Sequence, residues 1–306
     1  MRILLLGCTG QVGWELQRSL GPLGDVTALS RHSENGLCGD LSQPEALAET
    51  VRQLAPDAIV NAAAYTAVDQ AESEPELAEA INAMAPAVLA AEARVLGAWL
   101  VHYSTDYVFD GRGQRPWNEA DPTAPINVYG RTKWKGEEAI RQSGCRHLIF
   151  RTSWVYAAWG GNFIRTMLRL ASERDALRVI DDQFGVPTGA ELIADTTAAA
   201  LMRCVNEGKE GGLYHLAAAG ETTWYAYARH VIATARDAGW PVRIADEAIE
   251  PVTTEAFPTP ARRPHNSRLD TTRLEETFGL QMPDWRAGVD RALAEILTCD
   301  SPGRSS

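Results

Sequence analysis

Short apolar runs alternate with longer amphipathic stretches through the first 152 residues. The runs are apolar at nearly every position, which is typical of strands buried on both faces of a sheet. The pattern predicts strands at residues 3–6, 26–29, 58–61, 100–104 and 148–151, and helices at 12–20, 44–54, 77–96 and about 128–142. Strands that are each followed by a helix predict an α/β fold built on a doubly wound, Rossmann-like parallel sheet.

The pattern changes after Arg151, where proline and glycine become frequent. A further strand candidate at 212–217 follows a predicted helix at 190–204. Residues 249–268 contain four prolines and two adjacent arginines, which predicts a binding loop rather than a helix or strand. We expect a main domain of residues 1–152 plus roughly 190–220, a smaller, discontinuous α/β domain of residues 153–189 and 221–298, and a flexible tail at 299–306.

Composition and charge limit the classes of partner. Of the 306 residues, 45% are hydrophobic and 23% are charged, as in an ordinary globular protein. The formal net charge of -11 argues against a nucleic-acid partner, which needs a basic face. No segment approaches the ~20 apolar residues that span a bilayer, so we expect no membrane association. The five cysteines are scattered without a Cys-x-x-Cys pair, which indicates neither a disulfide framework nor a zinc site and favours a reducing, cytoplasmic setting.

A glycine-rich turn follows the first predicted strand. Gly7, Gly10 and Gly13 are spaced Gly-x-x-Gly-x-x-Gly and lead directly into a predicted helix. Glycine lets the backbone approach a pyrophosphate, whose charge is stabilised by the N–H groups and dipole of the helix N-terminus. A tight strand-to-helix connection alone would also explain the glycines. Their place after the first strand of an alternating series favours a dinucleotide site, so we expect the main domain to bind NAD(P)H.

The residues after the second strand bear on the choice between NADH and NADPH. An acidic residue there would bind the adenine ribose 2′-hydroxyl, whereas a basic or small polar residue accommodates a 2′-phosphate. Ser30 and Arg31 occupy this position. Arg31 is almost equally well explained as a solvated loop charge. We predict a preference for NADPH, with NADH also accepted.

Tyr129 and Lys133 are the first candidates for reaction chemistry. Four residues apart on a predicted helix, they share one face. A nearby ammonium group favours the phenolate and so lowers the pKa of the phenol toward the range useful for proton exchange with a carbonyl. Such a pair is common by chance, but Thr105 adds a hydroxyl at the carboxyl end of a parallel strand, where ligands bind. Together the three residues predict a carbonyl reductase.

Longer motifs resemble the extended short-chain dehydrogenase/reductase family over nearly the whole chain. Besides the glycine turn and Tyr129-x-x-x-Lys133, they are Asn61-Ala62-Ala63-Ala64, Ser104-Thr105-Asp106-Tyr107, Asp182-Gln183-Phe184-Gly185 and the run from Pro258 to Pro264. The resemblance implies hydride transfer from NAD(P)H to the C4 ketone of a dTDP-linked sugar. Dehydratases of this family follow the threonine with an Asp-Glu pair. Here Tyr107 follows Asp106, which favours simple reduction.

The resemblance also implies roles for individual residues. Thr105, Tyr129 and Lys133 would be catalytic. With the residues argued above, the cofactor would be bound by Gly7, Gly10, Gln11, Val12, Gly13, Ser30, Arg31, Asp40, Leu41, Ala64, Tyr65, Thr66, Tyr103, Tyr129 and Lys133. The sugar nucleotide would be bound by Thr105, Asp106, Tyr129 and Trp154, although an aromatic near a strand end is as often part of the core. Arg262 and Arg263 are candidates for binding its diphosphate with forked donors, or else surface charges.

Glu15, Glu191 and Glu295 lie on three separate predicted helical segments. The resemblance implies that such acids bind Mg²⁺ at a contact between two subunits in some relatives, and carboxylates suit this hard cation. Scattered glutamates are equally explained as solvated charges, which is also our interpretation of Glu72 and Glu74.

Two rival functions stay open. One is a reductase or epimerase that acts on another nucleotide sugar, since the same residues would serve it. The other is a noncatalytic, NADP-binding regulatory subunit. The complete set of Thr105, Tyr129 and Lys133 argues against the second, because a scaffold has no need of it.

Overall fold

The computed structural model describes residues 1–32 and 36–299. Its strands are β1 (Arg2–Leu6), β2 (Asp25–Leu29), β3 (Ala58–Asn61), β4 (Trp99–Thr105), β5 (Arg146–Thr152), β6 (Val155–Tyr156), β7 (Leu177–Ile180), β8 (Phe184–Gly185), β9 (Thr188–Gly189), β10 (Gly212–His215), β11 (Thr222–Thr223) and β12 (Ile249–Val252). Its α-helices are α1 (Gln11–Leu20), α2 (Pro44–Leu54), α3 (Val68–Ala71), α4 (Pro75–Glu79), α5 (Ala85–Leu96), α6 (Val128–Ser143), α7 (Phe163–Glu173), α8 (Ala190–Glu207), α9 (Trp224–Asp237), α10 (Thr272–Phe278) and α11 (Trp285–Cys299).

Six parallel strands form the main sheet in the order β10-β5-β4-β3-β1-β2. The strand order runs outward in both directions from the β1/β3 pair, which is the doubly wound arrangement. The predicted α/β fold class is therefore confirmed. Within the part of the chain that the structure describes, no helix is long and apolar enough to cross a membrane.

Alternate side chains of the strands enter two separate cores. On one face Leu5, Val101 and Phe150 pack against α1 and α8, and all three are fully buried. On the other face Leu4 and Leu100 pack against α2 and α5. Burial on both faces explains the continuous apolar runs of the sequence, and each fully buried leucine contributes about 1.5–3 kcal/mol.

A third core lies among the elements that follow β5. Tyr227 and Val231 of α9 pack there with Trp285 of α11 and with residues of α7. The helix α8, by contrast, packs on the main sheet beside α1, and β10 extends that sheet next to β5. The division into two domains at the boundaries given above stays a prediction.

The structure changes some of the predicted elements. The helix expected at 77–96 begins at Pro75 and includes a π-helical turn at Ala80–Met84. The interpretation of 249–268 as a loop throughout is wrong, because β12 pairs in parallel with β7. Pro251 is tolerated there because the sheet has only two strands and the proline lies on an edge. Cys299 ends α11, and the rest of the predicted tail, residues 300–306, lies outside the described residues.

Candidate active site

A cavity of about 1080 Å³ opens at the carboxyl ends of five adjacent strands, β1 to β5. This edge of an open parallel sheet is where ligands bind. The predicted site residues that line it are Gly7, Gly10, Gln11, Val12, Ser30, Arg31, Asp40, Leu41, Ala64, Thr66, Tyr103, Thr105, Asp106, Tyr129, Lys133 and Trp154. The structure thus brings the three catalytic candidates and most cofactor candidates to one space.

Four of the residues predicted to bind the cofactor or the sugar nucleotide lie outside this lining. Gly13 packs beneath the glycine turn. The Tyr65 hydroxyl donates a hydrogen bond to Glu74 Oε2 at 2.7 Å. Arg262 is exposed, and Arg263 forms an ion pair with a residue of α3. The binding roles of these four residues stay predictions.

The glycine turn has the geometry that a close phosphate approach requires. Gly7 has φ +82°, and Gly10 N–H donates to Gly7 O at 3.0 Å. A Cβ atom on Gly13 would lie 2.0 Å from Gly7 O, so no other residue fits there. Among the described residues, no side chain caps the start of α1. Its first N–H groups at Gln11 and Val12 therefore fit a dinucleotide diphosphate.

Helix α6, which carries Tyr129 and Lys133, is held at its N-terminus by two side chains. Asn127 Oδ1 accepts a hydrogen bond from Gly130 N–H at 2.8 Å, and Glu72 Oε1 accepts one from Val128 N–H at 2.8 Å. Glu72 is exposed, as interpreted from the sequence, and Glu74 is half-buried, and both carboxylates also accept specific hydrogen bonds. Local sequence gave no signal for this, because Glu72 and Val128 are far apart in the chain.

Tyr129, on the first turn of α6, is a protonated phenol in this site. Burial raises its pKa to about 12, the hydrogen bond with Thr105 acts in the opposite direction, and the charge of Asp106 raises it further. The expectation that Lys133 lowers the pKa of this phenol is wrong for this structure. Lys133 Nζ is engaged elsewhere, donating to Tyr103 O at 2.5 Å and contacting His102 Nε2 at 3.2 Å.

Thr105 and Asp106 form a buried polar pair at the end of β4. Thr105 Oγ1 donates to Asp106 Oδ1 at 3.2 Å and accepts from Tyr107 N–H at 3.2 Å. Burial raises the pKa of Asp106 to about 7, although hydrogen bonds from Ser267 and Thr105 oppose the shift. Within residues 1–32 and 36–299, Asp106 Oδ2 has no hydrogen-bond partner. Because a buried oxygen of this kind needs a partner, it fits a hydroxyl of a bound ligand.

Two stacked indoles form another wall of the cavity. Trp154 lies on Trp224 with ring centroids 3.7 Å apart and an interplanar angle of 15°. Trp154 has φ +47°, a conformation that a bulky residue rarely adopts. Trp154 is therefore both packed and exposed to the ligand space. No motif or spacing indicates Trp224, which lies at the start of α9 and meets Trp154 only in the folded chain.

The three glutamates predicted to bind Mg²⁺ lie near arginines. Arg18 contacts Glu15 at 3.5 Å, and Arg291 contacts Glu191 at 3.2 Å and Glu295 at 3.4 Å. Burial raises the pKa of Glu191, while Arg291 lowers it. In the described ranges, no group of three or more His, Cys, Asp or Glu side chains is arranged to hold a metal ion. The magnesium site stays a prediction.

Comparison with known proteins decides the family. The family described as RmlD substrate binding domain matches residues 1–298. The chain belongs to this family. It is 58% identical over 298 residues to the dTDP-4-dehydrorhamnose reductase of Escherichia coli K12, covering 97% of this chain and 99% of that protein. It is 48% identical over 302 residues to the dTDP-4-dehydrorhamnose reductase of Burkholderia thailandensis, covering 97% of this chain and 100% of that protein.

Solved structures with the same fold cover nearly the whole chain. The dTDP-4-dehydrorhamnose reductase of Bacillus anthracis, determined in complex with NADP, has a TM-score of 0.85 and 33% identity over 96% of this chain and 99% of that one. The dTDP-glucose 4,6-dehydratase DesIV of Streptomyces venezuelae has a TM-score of 0.78, 19% identity and 98% coverage of both chains, which shows the fold alone. The resemblance stated from the motifs is confirmed.

Proposed function

We propose that this protein reduces the C4 keto group of dTDP-4-dehydro-L-rhamnose to give dTDP-L-rhamnose, with NADPH or NADH as the reductant. The observation that carries the proposal is the convergence of Thr105, Tyr129 and Lys133 in one cavity with the glycine turn. The chain is also 58% identical to a dTDP-4-dehydrorhamnose reductase over almost its full length. The product would be a precursor of cell-surface polysaccharide.

Each of these side chains of the cavity has a separate role in a ketone reduction. When bound at the glycine turn, a reduced nicotinamide cofactor would provide the hydride for the carbonyl carbon. Tyr129, protonated because its pKa is raised to about 12, donates its proton to the oxygen that becomes the alcohol. Thr105 is hydrogen-bonded to that phenol and lines the same cavity, and its hydroxyl would have to turn from Asp106 Oδ1 to donate to the carbonyl oxygen. Lys133 faces the same space and would hold the ribose next to the nicotinamide.

The residue after Asp106 argues against elimination chemistry. A dehydratase needs a second carboxylate at this position to act as a base. Tyr107 occupies it, and burial, with the nearby Asp106 charge, holds the pKa of its phenol above the ordinary value. A neutral phenol is a poor base at physiological pH, so reduction proceeds without loss of water.

The preference for NADPH is part of the proposal. Ser30 and Arg31 line the cavity after β2, and Arg31 is exposed and able to pair with a 2′-phosphate. Steady-state assays with each cofactor test the preference. A higher kcat/KM with NADPH than with NADH in the wild type supports the preference. In Arg31→Ala the kcat/KM with NADPH should fall toward the value measured with NADH. A kcat/KM with NADH equal to or above that with NADPH contradicts it.

The decisive assay adds purified protein to dTDP-4-dehydro-L-rhamnose and follows the absorbance of the reduced nicotinamide. We expect turnover in the wild type, loss of at least about 100-fold in Tyr129→Phe, and wild-type rates in Tyr225→Phe, a matched change outside the cavity. Tight cofactor binding without oxidation supports the regulatory-subunit alternative. Faster turnover of another keto sugar nucleotide supports a different reductase. Inversion of a sugar stereocentre without net oxidation of the cofactor supports an epimerase.

Mg²⁺ binding, a homodimer and a cytoplasmic location are further proposals for this protein. Arg18 and Arg291 contact the three glutamates, so a cation would have to displace them. Sedimentation with Mg²⁺ or with EDTA tests the first two. A dimer that dissociates in EDTA supports a metal at the contact, whereas a dimer that persists shows that the cation is not needed.

A further inference from the structure

A buried glutamine joins the Trp154–Trp224 wall of the cavity to the late part of the chain. Gln183 comes directly before β8 and is 5% exposed. Its Oε1 accepts a hydrogen bond from Trp224 Nε1–H at 3.2 Å, and its Nε2 donates to Thr254 Oγ1 at 3.1 Å. Trp224 lines the cavity, whereas Gln183 is not part of the lining. The glutamine can therefore act on a ligand through the indole and not by direct contact.

The hydrogen bonds of Thr254 determine which way the Gln183 amide faces. Thr254 Oγ1–H donates to Asp182 Oδ1 at 2.7 Å, and an ionised carboxylate only accepts. The hydroxyl proton of Thr254 is therefore used, and its oxygen accepts from the amide NH₂ group. That leaves Oε1 facing the indole N–H, which only donates. Both ends of the amide are satisfied in this one orientation.

The backbone of Trp224 is held by contacts that do not involve the Gln183 side chain. The strand β11, which precedes it, pairs with β8 and places Thr223 opposite Phe184. Thr223 Oγ1 accepts from Ala226 N–H at 3.1 Å and so caps α9. These contacts fix the Cα atom of Trp224, but the torsion that turns an aromatic ring is broad and roughly twofold. The hydrogen bond to Gln183 selects one of its orientations.

The orientation of the ring matters because Trp224 stacks on Trp154 with centroids 3.7 Å apart. An indole is asymmetric, so a ring turned over in the same plane would move its larger half relative to Trp154. Trp154 lies two residues after Thr152, which is directly opposite Thr105 on the neighbouring strand. The stacked pair therefore stands beside the place where the proposed function puts the keto sugar.

We propose that Gln183 is a positioning residue that holds Trp224 against Trp154 and so shapes the part of the cavity that receives the sugar. Without this acceptor the indole N–H is left unpaired, and the ring no longer has a single favoured orientation. The wall then fits the sugar less well, while the glycine turn and Tyr129 keep their places. The hydrogen bonds are those of the structure, and the identity of the sugar rests on the proposed function.

Nuclear magnetic resonance of the full chain with ¹⁵N-labelled tryptophan tests the hydrogen bond without turnover. The nine tryptophans give separate indole N–H signals, and Trp224→Phe identifies the signal of Trp224. Gln183→Met has a side chain of similar length but no amide oxygen, so we expect that signal to move upfield. Gln53→Met, an exposed change on α2, should leave it unaltered. An unmoved signal in Gln183→Met overturns the proposal.

Calorimetric titration with dTDP-L-rhamnose in the presence of NADP⁺ tests the consequence for binding. We expect its Kd to rise by about tenfold in Gln183→Met and in Trp224→Phe, with the Kd of NADPH unchanged within about twofold. Because both changes break the same hydrogen bond, the double variant should bind about as weakly as Trp224→Phe. Additive losses of about a hundredfold, or a Kd of NADPH that rises equally, would show a general role in folding and overturn the proposal.

Steady-state kinetics separates this proposal from the proposed function. In an active reductase, Gln183→Met should raise the KM of the sugar nucleotide by about tenfold and leave kcat within about threefold. A fall in kcat with KM unchanged would overturn the role of Gln183 alone. Nonadditive binding losses in a protein that does not oxidise NADPH with dTDP-4-dehydro-L-rhamnose would reject the proposed function alone. Thr254→Val removes the acceptor of the Gln183 amide, and it replaces Gln183→Met, with the same direction of change in KM, if that variant does not fold.

Discussion

Glu137 and Arg151 form a doubly hydrogen-bonded ion pair that joins helix α6 to β5. Arg151 Nε and Nη2 donate to the two carboxylate oxygens at 2.9 and 2.6 Å, and the two side chains are 3% exposed for Arg151 and 0% for Glu137. Glu137 lies one helical turn after Lys133. The pair therefore fixes the part of α6 that carries Lys133.

Removing one partner of this pair should destabilise the fold strongly. Arg151→Met leaves the Glu137 carboxylate buried without its cation, and we expect a loss of about 3–5 kcal/mol in the free energy of unfolding. Urea denaturation measures it. The double variant with Glu137→Leu should recover much of the loss, because no buried charge remains. Arg141→Met breaks an exposed pair with Glu138 and serves as the control, with an expected loss below about 1 kcal/mol. Equal losses in the two single variants would contradict the prediction.

Gly13→Ala should weaken cofactor binding. The added Cβ would lie 2.0 Å from Gly7 O and would push the turn away from the diphosphate. We expect the Kd of NADPH to rise by about tenfold or more, which corresponds to ~1.4 kcal/mol, measured by fluorescence titration. Gly21→Ala at the end of α1 is the control, since its Cβ meets no atom of the described residues within 4 Å. An unchanged Kd in Gly13→Ala would show that the turn does not bind the cofactor.

Gly185→Ala should act on the sugar nucleotide and not on the cofactor. Its Cβ would lie 2.5 Å from Trp154 Cε2 and would force the indole from its place on Trp224. We expect the KM of the sugar nucleotide to rise by about tenfold, with the Kd of NADPH unchanged within about twofold. Gly161→Ala, whose Cβ meets open space among the described residues, is the control. A parallel change in both constants would mean that Trp154 supports the whole cavity.

Asp106→Asn should stabilise the protein at high pH. The folded-state pKa of Asp106 is raised from 3.8 to about 7, mainly by burial. Between these two values the folded state holds a proton that the unfolded state has lost, so the free energy of unfolding decreases as pH rises. Relative to the wild type, we expect Asp106→Asn to be more stable by roughly 2–4 kcal/mol at pH 8 and little changed at pH 4. Urea denaturation at both pH values measures the difference. The exposed Asp25→Asn should show no such dependence.

The sequence by itself predicted the alternation of strands and helices, the glycine turn and three candidate catalytic residues that the structure brings to one cavity. Strand β3 was predicted at the limits that the structure shows. These features depend on periodicity and short motifs, because apolar spacing and backbone freedom act over a few neighbouring residues. The same information predicted the cavity at the carboxyl ends of the strands, since a parallel sheet places those ends on one edge.

Only the tertiary structure decided the protonation of the site and the walls of the cavity. The pKa of Tyr129 is raised and not lowered, because burial disfavours the charged phenolate. Lys133 does not offset this effect, since its Nζ contacts His102 and Tyr103 instead. Trp224 reaches Trp154 from 70 residues further along the chain. Desolvation and contacts between distant segments cannot be predicted from the local pattern of apolar and polar residues. The sequence therefore determined which groups are candidates for the chemistry, and the fold determined which of them hold a proton.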